Sequence, residues 1–232
     1  MIVDRLAAVR ERIARAAARS GRRPEEITLV AVSKTFPAEA IREAFTAGLR
    51  HFGENKVQEA EAKVAALEDL RAQGLVWHLV GHLQKNKARK AASLFGRVHS
   101  VDSADLGRRL EHASAEQGKV LPVLVQCDLA GEASKSGLDE VHLFPTLEVL
   151  RGLKSVRVEG LMAVPPYELD AERVRPFFCR LRELRDEAAR RELLLGSELS
   201  MGMSHDLETA VEEGATLVRV GTALFGGRPP AR

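Results

Sequence analysis

Eight short apolar runs punctuate this chain, at 27–33, 49–53, 76–81, 98–101, 121–128, 156–163, 198–202 and 217–221. Runs of this length, bounded by turn residues, read as buried strands. Between them lie longer amphipathic stretches, among them 38–47, 55–73, 104–117, 171–191 and 205–213, which read as helices. Gly48, Gly74, Gly118, Gly152 and Gly214 stand where helices end, and a left-handed cap before the return strand is expected at each. A further helix opens the chain, with Leu6, Val9, Ile13 and Ala17 at helical spacing, and Gly21 and Pro24 stop it. Eight strands joined by helical crossovers indicate a parallel sheet. That count, in 232 residues, predicts an α/β fold, a closed (β/α)8 TIM barrel with an extra N-terminal helix. The first strand is not followed by Gly-x-Gly-x-x-Gly, which argues against a dinucleotide-binding sheet. With no Pro-, Gly- or Ser-rich linker, residues 1–232 are expected to form one domain.

Composition narrows the function. Lys+Arg is 35 and Asp+Glu 33, too even a balance to suggest a nucleic-acid or membrane-surface protein. Aromatic residues are 4%, too few for base-stacking platforms. No apolar run approaches the roughly 18 residues of a membrane span. Asp4, Arg5, Arg10, Glu11 and Arg12 are foreign to a secretory leader. Cys127 and Cys179 form no CxxC and no disulfide framework, so a reducing cytoplasm is the expected location.

In such a barrel the active site lies at the carboxyl ends of the strands. Strand 1 ends in Ser33-Lys34-Thr35. Lys34 shares a face with Val30 and Val32. If that face is the inner one, the amine sits partly desolvated at the barrel mouth, suited to Schiff-base chemistry. The alternative is a lysine that marks the strand end and reaches to solvent. Ser204, after strand 7, is placed to cap a helix starting near His205, and Gly221-Thr222 follow strand 8. Adjacent turns after strands 7 and 8 are where many barrels hold phosphate. Arg219 lies between the helix-facing Val218 and Val220, so it points inward and needs an acceptor. Glu54, Asp128 or a ligand atom would serve, with a structural carboxylate slightly favoured. His78 and His82 lie on a strand without a third ligand, so no metal site is expected. Cys127 reads as a small buried residue rather than a nucleophile.

Taken together, several segments form a pattern. They are Ala31-Val32-Ser33-Lys34-Thr35, Phe52-Gly53-Glu54-Asn55, Trp77 through Lys87, His99-Ser100-Val101-Asp102-Ser103, Gly160-Leu161-Met162, Leu199 through Ser204, and Val218 through Gly226. The pattern spans nearly the whole chain and resembles the pyridoxal-phosphate homeostasis protein family. Those proteins are single-domain relatives of the alanine racemase N-terminal barrel. The resemblance implies that Lys34 forms the internal aldimine with pyridoxal 5′-phosphate. It further implies that Ser200, Ser204, Gly221 and Thr222 surround the phosphate, that Asn55 lines the same pocket, and that Arg219 faces the pyridine nitrogen. Asp128 stands where the family often has Asn, and the position of His82 varies, so neither is assigned a role.

The resemblance implies a carrier or buffer of pyridoxal phosphate in vitamin B6 balance, without efficient catalysis. PLP-dependent apo-enzymes are then possible recipients, and a monomer is expected, with no nucleic-acid or membrane partner. An arginine at the ring nitrogen suits that reading, because a permanently charged group cannot accept the ring proton that strong electron withdrawal needs. Similar racemases also draw a second base from an additional β-domain, and no such domain is expected here. The alternative is a single-domain PLP-dependent amino-acid racemase or a Schiff-base lyase, which would also use Lys34.

Overall fold

A computed structural model describes residues 1–131 and 136–227. Eight parallel strands close into a barrel in sequence order. They are β1 (Thr28–Val32), β2 (His51–Glu54), β3 (Val76–Leu79), β4 (Arg97–Val101), β5 (Leu121–Cys127), β6 (Val156–Ala163), β7 (Glu198–Ser200) and β8 (Leu217–Val220). Closure is the pairing of Thr28 with Leu217 through Ala31 with Val220. This is the (β/α)8 barrel expected from the strand count. The observed strands mostly stop one or two residues short of the apolar runs, because the chain turns outward there to form the loops of the mouth.

The helices are α1 (Ile2–Arg19), α2 (Ala38–Thr46), α3 (Val57–Ala66), α4 (Glu68–Arg71), α5 (Ala88–Leu94), α6 (Ala104–Ala115), α7 (Glu140–Arg151), α8 (Arg175–Arg190), α9 (Leu207–Glu212) and α10 (Thr222–Phe225). The segment expected as one helix over 55–73 breaks at Leu67, whose φ of −124° leaves the helical range. The helix expected from 171 starts as a 3₁₀ turn, and α8 begins at Arg175, with Pro176 in its first turn. Proline suits the first turn, where its missing N–H has no helical partner. Gly48, Gly74, Gly118 and Gly214 adopt positive φ as expected. Gly152 does not: its φ is −75°.

Outside the strands, one continuous apolar layer packs sheet against helices, with Ala31, Phe52, Val218 and Val220 facing it. Inside, Val30, Leu124, Met162 and Leu217 form a separate small cluster. Side chains alternate across each strand, so the inner set also takes Arg219, two residues on from Leu217. The rest of the interior is polar, and that polar half reaches the site.

Candidate functional site

A cleft of about 450 Å³ opens at the carboxyl ends of the strands. That falls within the roughly 300–1,000 Å³ usual for small-ligand sites. Val32, Lys34 and Phe36 line it from β1, Asn55 from β2, and Val164 and Tyr167 from β6. Met203, Ser204 and His205 come from the loop after β7, and Arg219, Gly221 and Thr222 from the end of β8. Six of the seven residues singled out from sequence therefore share one cavity.

Lys34 is half-buried on the turn that leaves β1. That turn is strained: Thr35, a β-branched residue, has φ +68°. A buried network holds it. Lys63 of α3 donates to Ser33 O at 2.9 Å, to Glu54 Oε1 at 2.7 Å and to Glu59 Oε1 at 2.8 Å. Glu59 Oε1 also accepts from the Thr35 amide at 2.6 Å, and Ser33 Oγ donates to Glu54 Oε1 at 2.7 Å. Burial raises the Glu54 carboxyl above its ordinary range, with the Lys63 contacts opposing. For Glu59 burial works the same way, but the bonds from Lys63 and the Thr35 amide prevail and hold it below its ordinary range. Lys63 lies mid-helix, and its one trace in the sequence is a scarce lysine on the face shared with Ala60 and Val64.

Beside β1 in the closed barrel, the loops after β7 and β8 are tied together. Ser204 does not cap the following helix as expected. Asp206 occupies the N-cap of α9, and its carboxylate accepts from the Met203 amide at 2.5 Å. The Ser204 hydroxyl instead accepts from the Ala223 amide at 3.3 Å, joining the β7 loop to the β8 loop. From outside, Arg12 of α1 donates to Ser204 O at 2.9 Å and pairs with Glu208 at 2.6 Å. The backbone here approaches closely. A Cβ at Gly221 would lie 3.3 Å from Val32 O, and Gly202 has φ +88° with Ala210 2.5 Å from any added Cβ.

Arg219 is 5% exposed. Neither Glu54 nor Asp128 meets it, contrary to the preference for a carboxylate. Glu54 faces the helices and pairs with Lys63. Asp128 Oδ1 accepts from the Ala130 and Gly131 amides. Arg219 Nη1 donates to Ser200 Oγ at 2.6 Å and Nη2 to Ala163 O at 2.9 Å. Among the described residues no carboxylate pairs with it. Burial lowers its pKa to about 10, with the Asp206 charge opposing, so it stays charged at neutral pH. Ser200 itself is fully buried behind Arg219 and does not line the cleft. Cys127 is buried, which pushes its thiol up, away from a nucleophile's range. His82 stands outside the cleft, 3.2 Å from Asp102.

An anionic, planar ligand bearing an aldehyde fits these residues. The cavity offers an amine, two hydroxyls and a close glycine backbone, and a buried guanidinium whose bonds, among the described residues, run to neutral oxygens. His205 Nε2, also buried at the cleft, makes no hydrogen bond among the described residues and lies 3.4 Å from Asp206 Oδ2.

The model of the alanine racemase N-terminal domain matches residues 5–229. The chain is 44% identical over 225 residues to the pyridoxal phosphate homeostasis protein of Aquifex aeolicus, covering 97% of each. It is similar to the structure of PipY of Synechococcus elongatus PCC7942 with PLP bound, at 44% identity and TM-score 0.85, covering 97% of this chain and 100% of that one. Alanine racemase of Corynebacterium glutamicum shares the fold alone, at 18% identity and TM-score 0.67, with 96% of this chain matched to 60% of that one. Fold, full-length match and level of identity agree: the chain belongs to the pyridoxal phosphate homeostasis protein family.

Proposed function

We propose that this protein binds pyridoxal 5′-phosphate in the cleft and serves intracellular vitamin B6 balance as a carrier or buffer, without efficient catalysis. The observation that carries this reading is the pairing of Lys34 with a buried Arg219 that has no carboxylate partner among the described residues. When bound, the cofactor supplies an electrophilic aldehyde and an electron-withdrawing ring. Lys34 presents its amine to the cleft for covalent attachment. Ser204 and Thr222, with the backbone at Gly221, take the phosphate, and Asn55 closes the same side. The Arg219 guanidinium meets the ring nitrogen as a donor; being charged, it cannot take a proton from it. Ser200 acts behind Arg219 rather than on the phosphate. Relatives named for pyridoxal phosphate homeostasis and the PLP-bound PipY structure support the reading. We place the protein in the cytoplasm, as a monomer of one domain, with PLP-dependent apo-enzymes as recipients.

The test is the absorption spectrum of protein loaded with pyridoxal phosphate, before and after borohydride reduction, with mass mapping of the modified lysine. Reduction is expected to fix one cofactor on Lys34, and Lys34→Ala to lose the visible band while remaining folded. Fixation on another lysine would refute the assignment. Turnover of free amino acids at roughly 1–10³ s⁻¹, the usual range for enzymes, would replace the carrier by a racemase or Schiff-base lyase.

A further inference from the structure

The polar half of the barrel interior is a single hydrogen-bonded column. Ser200 Oγ lies 2.8 Å from His99 Nδ1. His99 Nε2 lies 2.8 Å from His78 Nδ1, and His78 Nε2 lies 3.0 Å from His51 Nδ1. At the top, Arg219 Nη1 donates to the same Ser200 oxygen. His99 and His78 each bond through both ring nitrogens and His51 through Nδ1, and successive rings stand edge to face at 5.1 and 5.2 Å. The histidines come from β4, β3 and β2, so the column descends from the cleft toward the amino-terminal mouth.

Hydrogen-bond capacity sets its direction. Arg219 can only donate, so Ser200 accepts from it. Ser200 is fully buried, and its own proton needs an acceptor. His99 Nδ1 is that acceptor, so the His99 proton sits on Nε2 and is given to His78 Nδ1. By the same step His78 carries its proton on Nε2 and gives it to His51 Nδ1, and His51 is left with its proton on Nε2. Any other tautomer, or a protonated ring, sets two donors against each other or leaves the buried hydroxyl without an acceptor. Bonds aligned in one sense polarise one another, which strengthens the last of them, at Arg219.

We infer that His51, His78 and His99 are positioning residues for Arg219: one column of neutral Nε2–H imidazoles that fixes the Ser200 hydroxyl and so holds the guanidinium at the floor of the cleft. The surroundings favour the neutral state. Burial lowers His78 and His99 well below the ordinary imidazole value, and the Arg97 and Arg219 charges act in the same direction. At the lower end burial and Arg97 also lower His51, while Glu198 opposes them. Arg97 is itself paired with Glu159 at 2.6 Å and Glu198 at 3.4 Å. The column thus ends on a compensated ion cluster.

The test uses ligand-free protein, so it stands apart from the proposed cofactor; only its affinity arm rests on that reading. Imidazole ¹⁵N spectra are expected to show three rings in the Nε2–H form, each titrating below the ordinary imidazole value of about 6.5. His99→Phe removes the acceptor of the Ser200 proton and is expected to shift and broaden the Arg219 guanidinium signals. It should also weaken pyridoxal-phosphate binding about tenfold, the scale of one lost hydrogen bond to a charged group. His99→Gln retains an acceptor toward Ser200 and a donor toward His78, and is expected to restore both readouts. Nδ1–H tautomers, or rings titrating independently near 6.5, would overturn the inference in wild-type protein alone, whether or not the variants fold. A folded His99→Phe with wild-type Arg219 signals would overturn it as well. If wild-type protein bound no pyridoxal phosphate while the tautomers stood as expected, the cofactor reading would fail and the column would remain.

Discussion

Ser204 and Thr222 are where one hydroxyl changes most. Each is expected to contribute about 1.5–3 kcal/mol as a charge-assisted bond to phosphate. The double Ala variant should therefore bind pyridoxal phosphate at least a hundredfold more weakly, yet bind pyridoxal almost unchanged; calorimetry with both ligands checks this, and equal losses would place the phosphate elsewhere. Lys63→Met should act beneath the Lys34 turn. It leaves Glu54 buried without its cation, at a cost of about 3–5 kcal/mol. Burial already raises the Glu54 carboxyl, and losing Lys63 raises it further, so the folded variant binds a proton more tightly than the unfolded chain. Its deficit should then shrink as pH falls from 7 to 5, read as a recovering urea midpoint. Lys34, Arg219 and the paired loops were legible in the sequence, because strand parity and strand ends can be read from apolar runs. The histidine column was not. Parity shows that a side chain points inward, but the height at which it meets another strand is set by the stagger of the closed barrel.

At the scale of elements, α1 matters more than its place outside the barrel suggests. Ile2, Leu6, Val9, Ile13, Ala16 and Ala17 bury one of its faces, and Arg12 reaches past that face to Ser204 O and Glu208. Arg12→Ala should cost little global stability, about 1 kcal/mol for a partly exposed pair. Pyridoxal-phosphate affinity is expected to fall several-fold, because the loop carrying Ser204 loses its outer anchor. A titration followed by absorbance measures this; unchanged affinity would show that the Ala223 bond alone holds the loop. The helix was evident from its spacing, but this role was not, since contacts between residues 12 and 204 leave no local trace. The break at Leu67 was also hidden, for no glycine or proline marks it.

For the molecule as a whole, a barrel closed in sequence order around one outer core is expected to unfold in a single transition. Saturation with pyridoxal phosphate at a hundredfold excess over its dissociation constant should raise the midpoint by about 5–10 °C; two resolved transitions in a calorimetric scan would contradict the one-domain assignment. The closing seam carries a further consequence. Lys34 extends from the first strand and Arg219, Gly221 and Thr222 from the eighth, the pair that meets at Thr28 and Leu217. During synthesis the ribosome releases the amine long before the eighth strand that closes beside it. With the site as proposed, a nascent chain presents the amine without a complete seat for the phosphate, and cofactor capture is expected only when the eighth strand has emerged and joined the first.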